Sequence, residues 1–244
     1  MKRKILVWDL PTRLFHWLLA ASVLGAFAIG KLADDDQPAF AWHMLLGGTA
    51  AFMVVLRAVW GLVGSRYARF QSFLFGPAAI SRYFRGLFST NPKPFTGHNP
   101  GSSVAIFAML ALTVGTAATG ALMASGGETF EELHELFATA LIVVAVAHVA
   151  GVLLHTLRRR ENLTASMIVG TKLGEAADAI PSSYRFVGLV FVALTASWAL
   201  GLANGYDPQA GTVQLPLLGT TLAVGEGAEG EPSGAVERGH RDDD

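Results

Sequence analysis

Five of the seven histidines in this 244-residue chain, His16, His43, His134, His148 and His155, fall inside long apolar stretches. An ionisable side chain in such a stretch is costly to bury, so each is a functional candidate. Imidazole can ligate a metal through either ring nitrogen, pass a proton, or hold a polar ligand. Spacing narrows the choice. His148 follows His134 by fourteen residues, close to four helical turns, which puts both on one face about 21 Å apart along the axis. Arg57 follows His43 by the same interval, His155 lies seven residues past His148, and Arg13 stands one turn before His16.

The elements that carry these residues read as membrane spans. The chain is 52% hydrophobic and 15% charged, with mean hydropathy +0.43. An average soluble domain carries roughly 25% charge. Five stretches reach the roughly 20 apolar residues that a crossing needs, at about 14 to 31, 40 to 63, 103 to 124, 132 to 157 and 185 to 203. Asp34, Asp35 and Asp36 join the first two; Ser125, Gly126, Gly127 and Glu128 join the third and fourth. The opposite connections are basic: Lys2, Arg3 and Lys4, then Arg66, Arg69, Arg82, Arg85 and Lys93, then Arg158, Arg159 and Arg160. Positive-inside bias therefore puts the N-terminus in the cytoplasm and, after five crossings, the C-terminus outside. The Gly-, Glu- and Asp-rich end of the chain reads as a disordered, solvated tail. The basic N-terminus resembles a signal peptide, but Asp9, Arg13 and His16 interrupt it and no small-residue cleavage site precedes the aspartates.

On this topology the histidines sort by depth. His43 and His134 lie near the outer surface, His16 and His148 towards the cytoplasm. Two levels, each with imidazoles from two helices, suit two bis-histidine haems held within a helical bundle. A buried Arg57 at the inner level needs an anion, which a haem propionate would supply, and Arg13 is placed to do the same. The plainer alternatives are single interfacial histidines with hydrogen-bond partners and arginines that snorkel to lipid phosphate. Gly47, Gly48, Gly115, Gly120 and Gly151 give clearance for a flat ring or for ordinary helix packing. His155 is read as a quinone-site or propionate hydrogen-bond residue, with ligation in place of His148 as its alternative. His98, in a Pro- and Gly-rich loop, reads as a turn residue.

Several chemistries are excluded. Without cysteine the chain holds no thiolate cluster, Cys-type zinc site or covalently attached haem. His134-Glu135 is not followed by the second histidine of a zinc protease, since position 138 is Ala138. No solenoid repeat is present, and the basic residues line a membrane face, which gives nucleic-acid binding no support.

Val7-Trp8-Asp9 with Arg13-Leu14-Phe15-His16-Trp17, Trp42-His43 with Arg57 and Trp60-Gly61, Gly97-His98-Asn99-Pro100, His134 with His148-Val149-Ala150-Gly151, and Asn162-Leu163 leading to Met167 and Gly170 to Lys172 occur in this order. In these pieces the chain resembles the bacterial cytochrome b561 and nickel-iron hydrogenase cytochrome b subunit family. The resemblance implies an all-α membrane protein with a four-helix transmembrane haem-binding bundle over residues 1–172; residues 173–203, the linker and fifth transmembrane helix, and 204–244, the acidic extracytoplasmic tail, go beyond that core. It implies two haems b ligated by His16, His43, His134 and His148, in the bacterial cytoplasmic membrane. It also implies electron exchange between a quinone and a redox partner such as a hydrogenase, another dehydrogenase or a cytochrome c. The rival expectation is a haem-free transporter or anchor that uses buried His and Arg as an ion relay.

Overall fold

The computed structural model describes residues 2–34, 37–86, 95–125 and 128–224. Asp35, Asp36, Lys93, Gly126, Gly127 and everything past Val224 lie outside them. Seven helices run in chain order: α1 (Leu10–Leu32), α2 (Phe40–Val63), α3 (Pro77–Arg85), α4 (Pro100–Met123), α5 (Glu131–Arg159), α6 (Leu163–Val169) and α7 (Arg185–Asn204). Among the described residues, α1, α2, α4, α5 and α7 are long and apolar enough to cross a membrane. They match the five expected spans, and α1 and α4 start a few residues earlier than hydropathy suggests. Capping explains both starts. Asp9 accepts the Thr12 N–H at 2.8 Å with Pro11 in the first turn, and Asn99 and Ser102 form a reciprocal capping box ahead of Pro100.

Helices α1 with α2, and α4 with α5, pack as two hairpins, and α2 meets α4 between them; α7 covers α1 and α2. Phe15, Met53, Val54 and Phe191 lock that seam. Trp198 stacks on Phe52 at 4.6 Å and donates to the Gly48 carbonyl at 3.1 Å. On α5, Leu136, Val143, Val146, Leu153 and Leu157 stay more than half exposed along one face, the arrangement of a helix that meets lipid. His134 and His148 lie on the opposite face.

The ends of the bundle differ. At the basic end, β1 (Arg3–Leu6) pairs antiparallel with β2 (Thr171–Gly174), with Ile5 opposite Lys172. Ile5, Val7, Trp8, Tyr67 and Ile180 form a small core beneath, so the expected division at residue 172 falls inside a strand and residues 173–183 dock against the N-terminus. The acidic end carries a correction. Residues 204–244 were expected to be a solvated tail; within the described part, 204–224, β3 (Tyr206–Asp207), β4 (Thr212–Gln214) and β5 (Thr221–Ala223) instead make an antiparallel sheet in the order β3-β4-β5. Val213 and Leu222 pack there against Leu202 of α7, and burial of these three apolar side chains outweighs the polar composition of the flanking residues.

Candidate functional site

At the acidic end, α2 brings His43 and α5 brings His134 together edge to face, ring centroids 5.9 Å apart and planes at 63°. Each ring is anchored the same way by the other helix of its hairpin. His43 Nδ1 lies 2.8 Å from the Ala26 carbonyl of α1, and His134 Nδ1 lies 2.9 Å from the Thr116 carbonyl of α4, with Thr119 Oγ1 at 3.3 Å. A helix carbonyl can take a second donor from the side only where no side chain blocks the approach, and a glycine stands four residues after each carbonyl. A Cβ on Gly30 would sit 2.8 Å from His43 Nδ1; one on Gly120 would sit 3.1 Å from His134 Cε1. A carbonyl accepts, so Nδ1 must carry the proton, and Nε2 is left with its lone pair free to ligate. This is how metal-binding imidazoles are oriented.

At the basic end the imidazoles are less constrained. His16 of α1 keeps its Nδ1 buried without a hydrogen-bond partner and sets its ring edge-on to Trp17 at 4.8 Å. His98, expected to be a turn residue, lies instead between Trp8 at 4.8 Å and Phe73 at 4.4 Å, its Nδ1 buried and unpartnered. Burial, and then the fields of Arg57, Lys172, His148 and His16, push its pKa down to about 3, so it is neutral at any physiological pH.

Arg57 is buried, 4% exposed, between the rings of Phe15 and Phe70. One terminal nitrogen donates to the Ala68 carbonyl at 3.0 Å, and the other has no partner. Close by, Asp9 is 1% exposed and accepts from Trp60 Nε1, Ser65 Oγ and the Thr12 amide. The Asp9-Leu10-Pro11-Thr12 stretch is also a helix-start signal, which Asp9 serves as N-cap. Arg13 donates to the Ile168 carbonyl at the C-terminal end of α6, while its Nε is buried and unpartnered. His155, two turns past His148 on α5, has its Nε2 3.3 Å from Glu161, and Glu161 meets Lys172 at 3.2 Å. The His155 hydrogen bond and the Lys172 charge hold the Glu161 carboxyl below the usual carboxylate range despite its partial burial.

The donor set suits an iron porphyrin with two axial imidazoles. Two nitrogens bound across one ion at about 2.0–2.1 Å each, plus the ring radius on either side, put the centroids about 6 Å apart. The 5.9 Å separation of His43 and His134 fits. Gly47, one turn past His43, and Gly151, three residues past His148, leave room: a Cβ on either would meet nothing within 4 Å. Gly48 and Gly115 serve packing instead, against Leu202 and Phe137.

Fold and site together define a multi-pass membrane protein with imidazoles grouped at both ends of a four-helix bundle. Residues 7–170 match the model of the prokaryotic cytochrome b561 family, and the chain belongs to that family of haem b electron-transfer proteins. It is similar to the "Probable Ni/Fe-hydrogenase B-type cytochrome subunit" of Rhizobium leguminosarum bv. viciae, 22% identical over 217 residues, covering 70% of this chain and 90% of the relative. The proteins of the same name from Bradyrhizobium diazoefficiens (22%, 69% and 85%) and Rhodobacter capsulatus (23%, 69% and 81%) are similar to a like degree. No solved structure matches the chain.

Proposed function

We propose that this chain is a di-haem cytochrome b that transfers electrons between a quinone/quinol pool and a redox partner protein. His43 and His134 hold one haem b and His16 and His148 the second. Haem b, when bound with both axial positions filled by imidazole, supplies a one-electron iron couple and disfavours oxygen binding. The observation that carries this reading is the matched pair of Nδ1-to-carbonyl contacts that leave Nε2 of His43 and His134 unprotonated on two rings 5.9 Å apart.

The other residues take supporting roles. The unpartnered N–H of Arg57 offers a donor to a propionate, and its charge favours the reduced state of a nearby iron. Neutral His98, with Nδ1 free at the same level, provides a hydrogen-bond partner for a quinone head group. His155, committed to Glu161, is a structural tie at the membrane edge and not an axial ligand. The basic connections support a cytoplasmic N-terminus through the positive-inside bias. The relatives' names make a nickel-iron hydrogenase the partner class favoured over another dehydrogenase or a cytochrome c.

Single substitutions His43→Ala, His148→Ala and His155→Ala, each purified and scanned for reduced-minus-oxidised absorbance, test the assignment. The first two should each lose one b-type component and the third neither. Loss of a component in His155→Ala but not in His148→Ala would overturn the reading of α5.

A further inference from the structure

The outer sheet lies beyond the 7–170 region that the family model covers, and its topology turns part of it back towards the bilayer. From the end of α7 at Asn204, β3 runs away from the membrane, β4 returns, and Gln214 donates to the Gly205 carbonyl at 2.9 Å, level with the helix end. The loop 215–220 therefore hangs at the membrane side of the sheet before β5 climbs again, where Ala223 donates to the Ala124 carbonyl past the end of α4. Pro216 packs on Gly201 of α7, so closely that a Cβ there would sit 2.7 Å from Pro216 Cγ. Gly201 is three residues short of the end of α7, which puts the loop about 4.5 Å below that end.

The tip of this loop is apolar and bare. Leu217 is 96% exposed and Leu218 is 69% exposed. Leu217 holds φ +68°, a left-handed conformation that a leucine rarely adopts. From Pro208 to Gly225 the sequence has no charged residue, although acidic residues bracket it at Asp207 and Glu226. A cleft of about 480 Å³ between loop and helix end mixes the amides of Asn204 and Gln214 with Leu215 and Leu217. In water such a leucine tip would be unfavourable; at the depth of Gly201 it meets the boundary between lipid head groups and acyl chains, where apolar side chains on a polar scaffold are favoured.

We propose that the Leu217-Leu218 tip inserts into the lipid interface beside α7 and anchors the outer sheet to the bilayer. The lack of native cysteine makes the test direct. Leu217→Cys and Leu218→Cys, with Gln209→Cys in the opposite turn of the sheet as reference, are labelled with bimane in the full chain. Each is reconstituted in phosphatidylcholine vesicles with or without lipid carrying a nitroxide high on its acyl chain. Labels at 217 and 218 should be quenched by the lipid nitroxide and shielded several-fold from aqueous iodide relative to 209. Iodide access equal to that at 209 would overturn the proposal. So would shielding from both reagents, because another protein surface would then cover the tip.

Discussion

Gly30→Ala separates helix stability from cofactor binding. The new Cβ would lie 2.8 Å from His43 Nδ1 and 2.9 Å from Cε1, closer than a carbon in that position tolerates, so the ring must leave the Ala26 carbonyl. Replacing glycine by alanine inside a helix contributes about 1 kcal/mol of stability. The lost hydrogen bond costs about 0.5–1.5 kcal/mol, so folding is left near neutral. Ligand orientation has no such compensation, and loss of a hydrogen bond behind a metal-bound imidazole lowers affinity by about 10–100-fold. Gly120→Ala places its Cβ at 3.1–3.2 Å from His134, a gap that a few tenths of an ångström relieves, so its effect should be smaller. Haem titration of each variant, followed by pyridine haemochrome and by thermal unfolding in detergent, gives both quantities. The expected order of loss at the acidic-end haem is Gly30→Ala, then Gly120→Ala, then wild type, with melting temperatures nearly unchanged. Wild-type haem affinity in Gly30→Ala would refute the reasoning, and so would loss of both components together with a large fall in melting temperature.

Arg57→Leu removes a buried positive charge and the spare donor beside the basic-end imidazoles. The midpoint potential of that component should fall by on the order of tens of millivolts in a redox titration. Asp9→Asn puts an amide where three donors converge, so thermal unfolding should show a loss of about 1–3 kcal/mol with haem content retained. Glu161, whose folded pKa is depressed, contributes stability above the unfolded carboxylate value of about 4.3, and that contribution is lost as pH falls through the folded value. Glu161→Gln should therefore be less stable than wild type at pH 7, and the difference should close on acidification, as melting curves across pH would record.

The five spans were legible because hydrocarbon forces a continuous apolar run, whatever the tertiary context. The pairing of His43 with His134 was legible for a related reason: both stand at a span's start on the same side, so topology alone puts them at one depth. Their anchoring was not. It depends on Ala26 and Thr116 carbonyls that are anonymous in sequence, and Gly30 gained meaning only once α1 lay against α2. His98 looked like a turn residue because its neighbours are Gly97, Asn99 and Pro100. Asn99 and Pro100 start α4, and His98 just before them sits between Trp8 and Phe73. The sheet at the acidic end escaped notice because its strands are two or three residues long beside a Gly- and Glu-rich end. The uncharged run from Pro208 was the signal that could have marked it.

The most direct measurement is the haem count per chain in the purified protein, from pyridine haemochrome absorbance against quantitative amino-acid analysis. The account predicts two haems b per chain, both low-spin with two axial imidazoles by electron paramagnetic resonance. One haem per chain, or a high-spin iron with an open axial position, would contradict it.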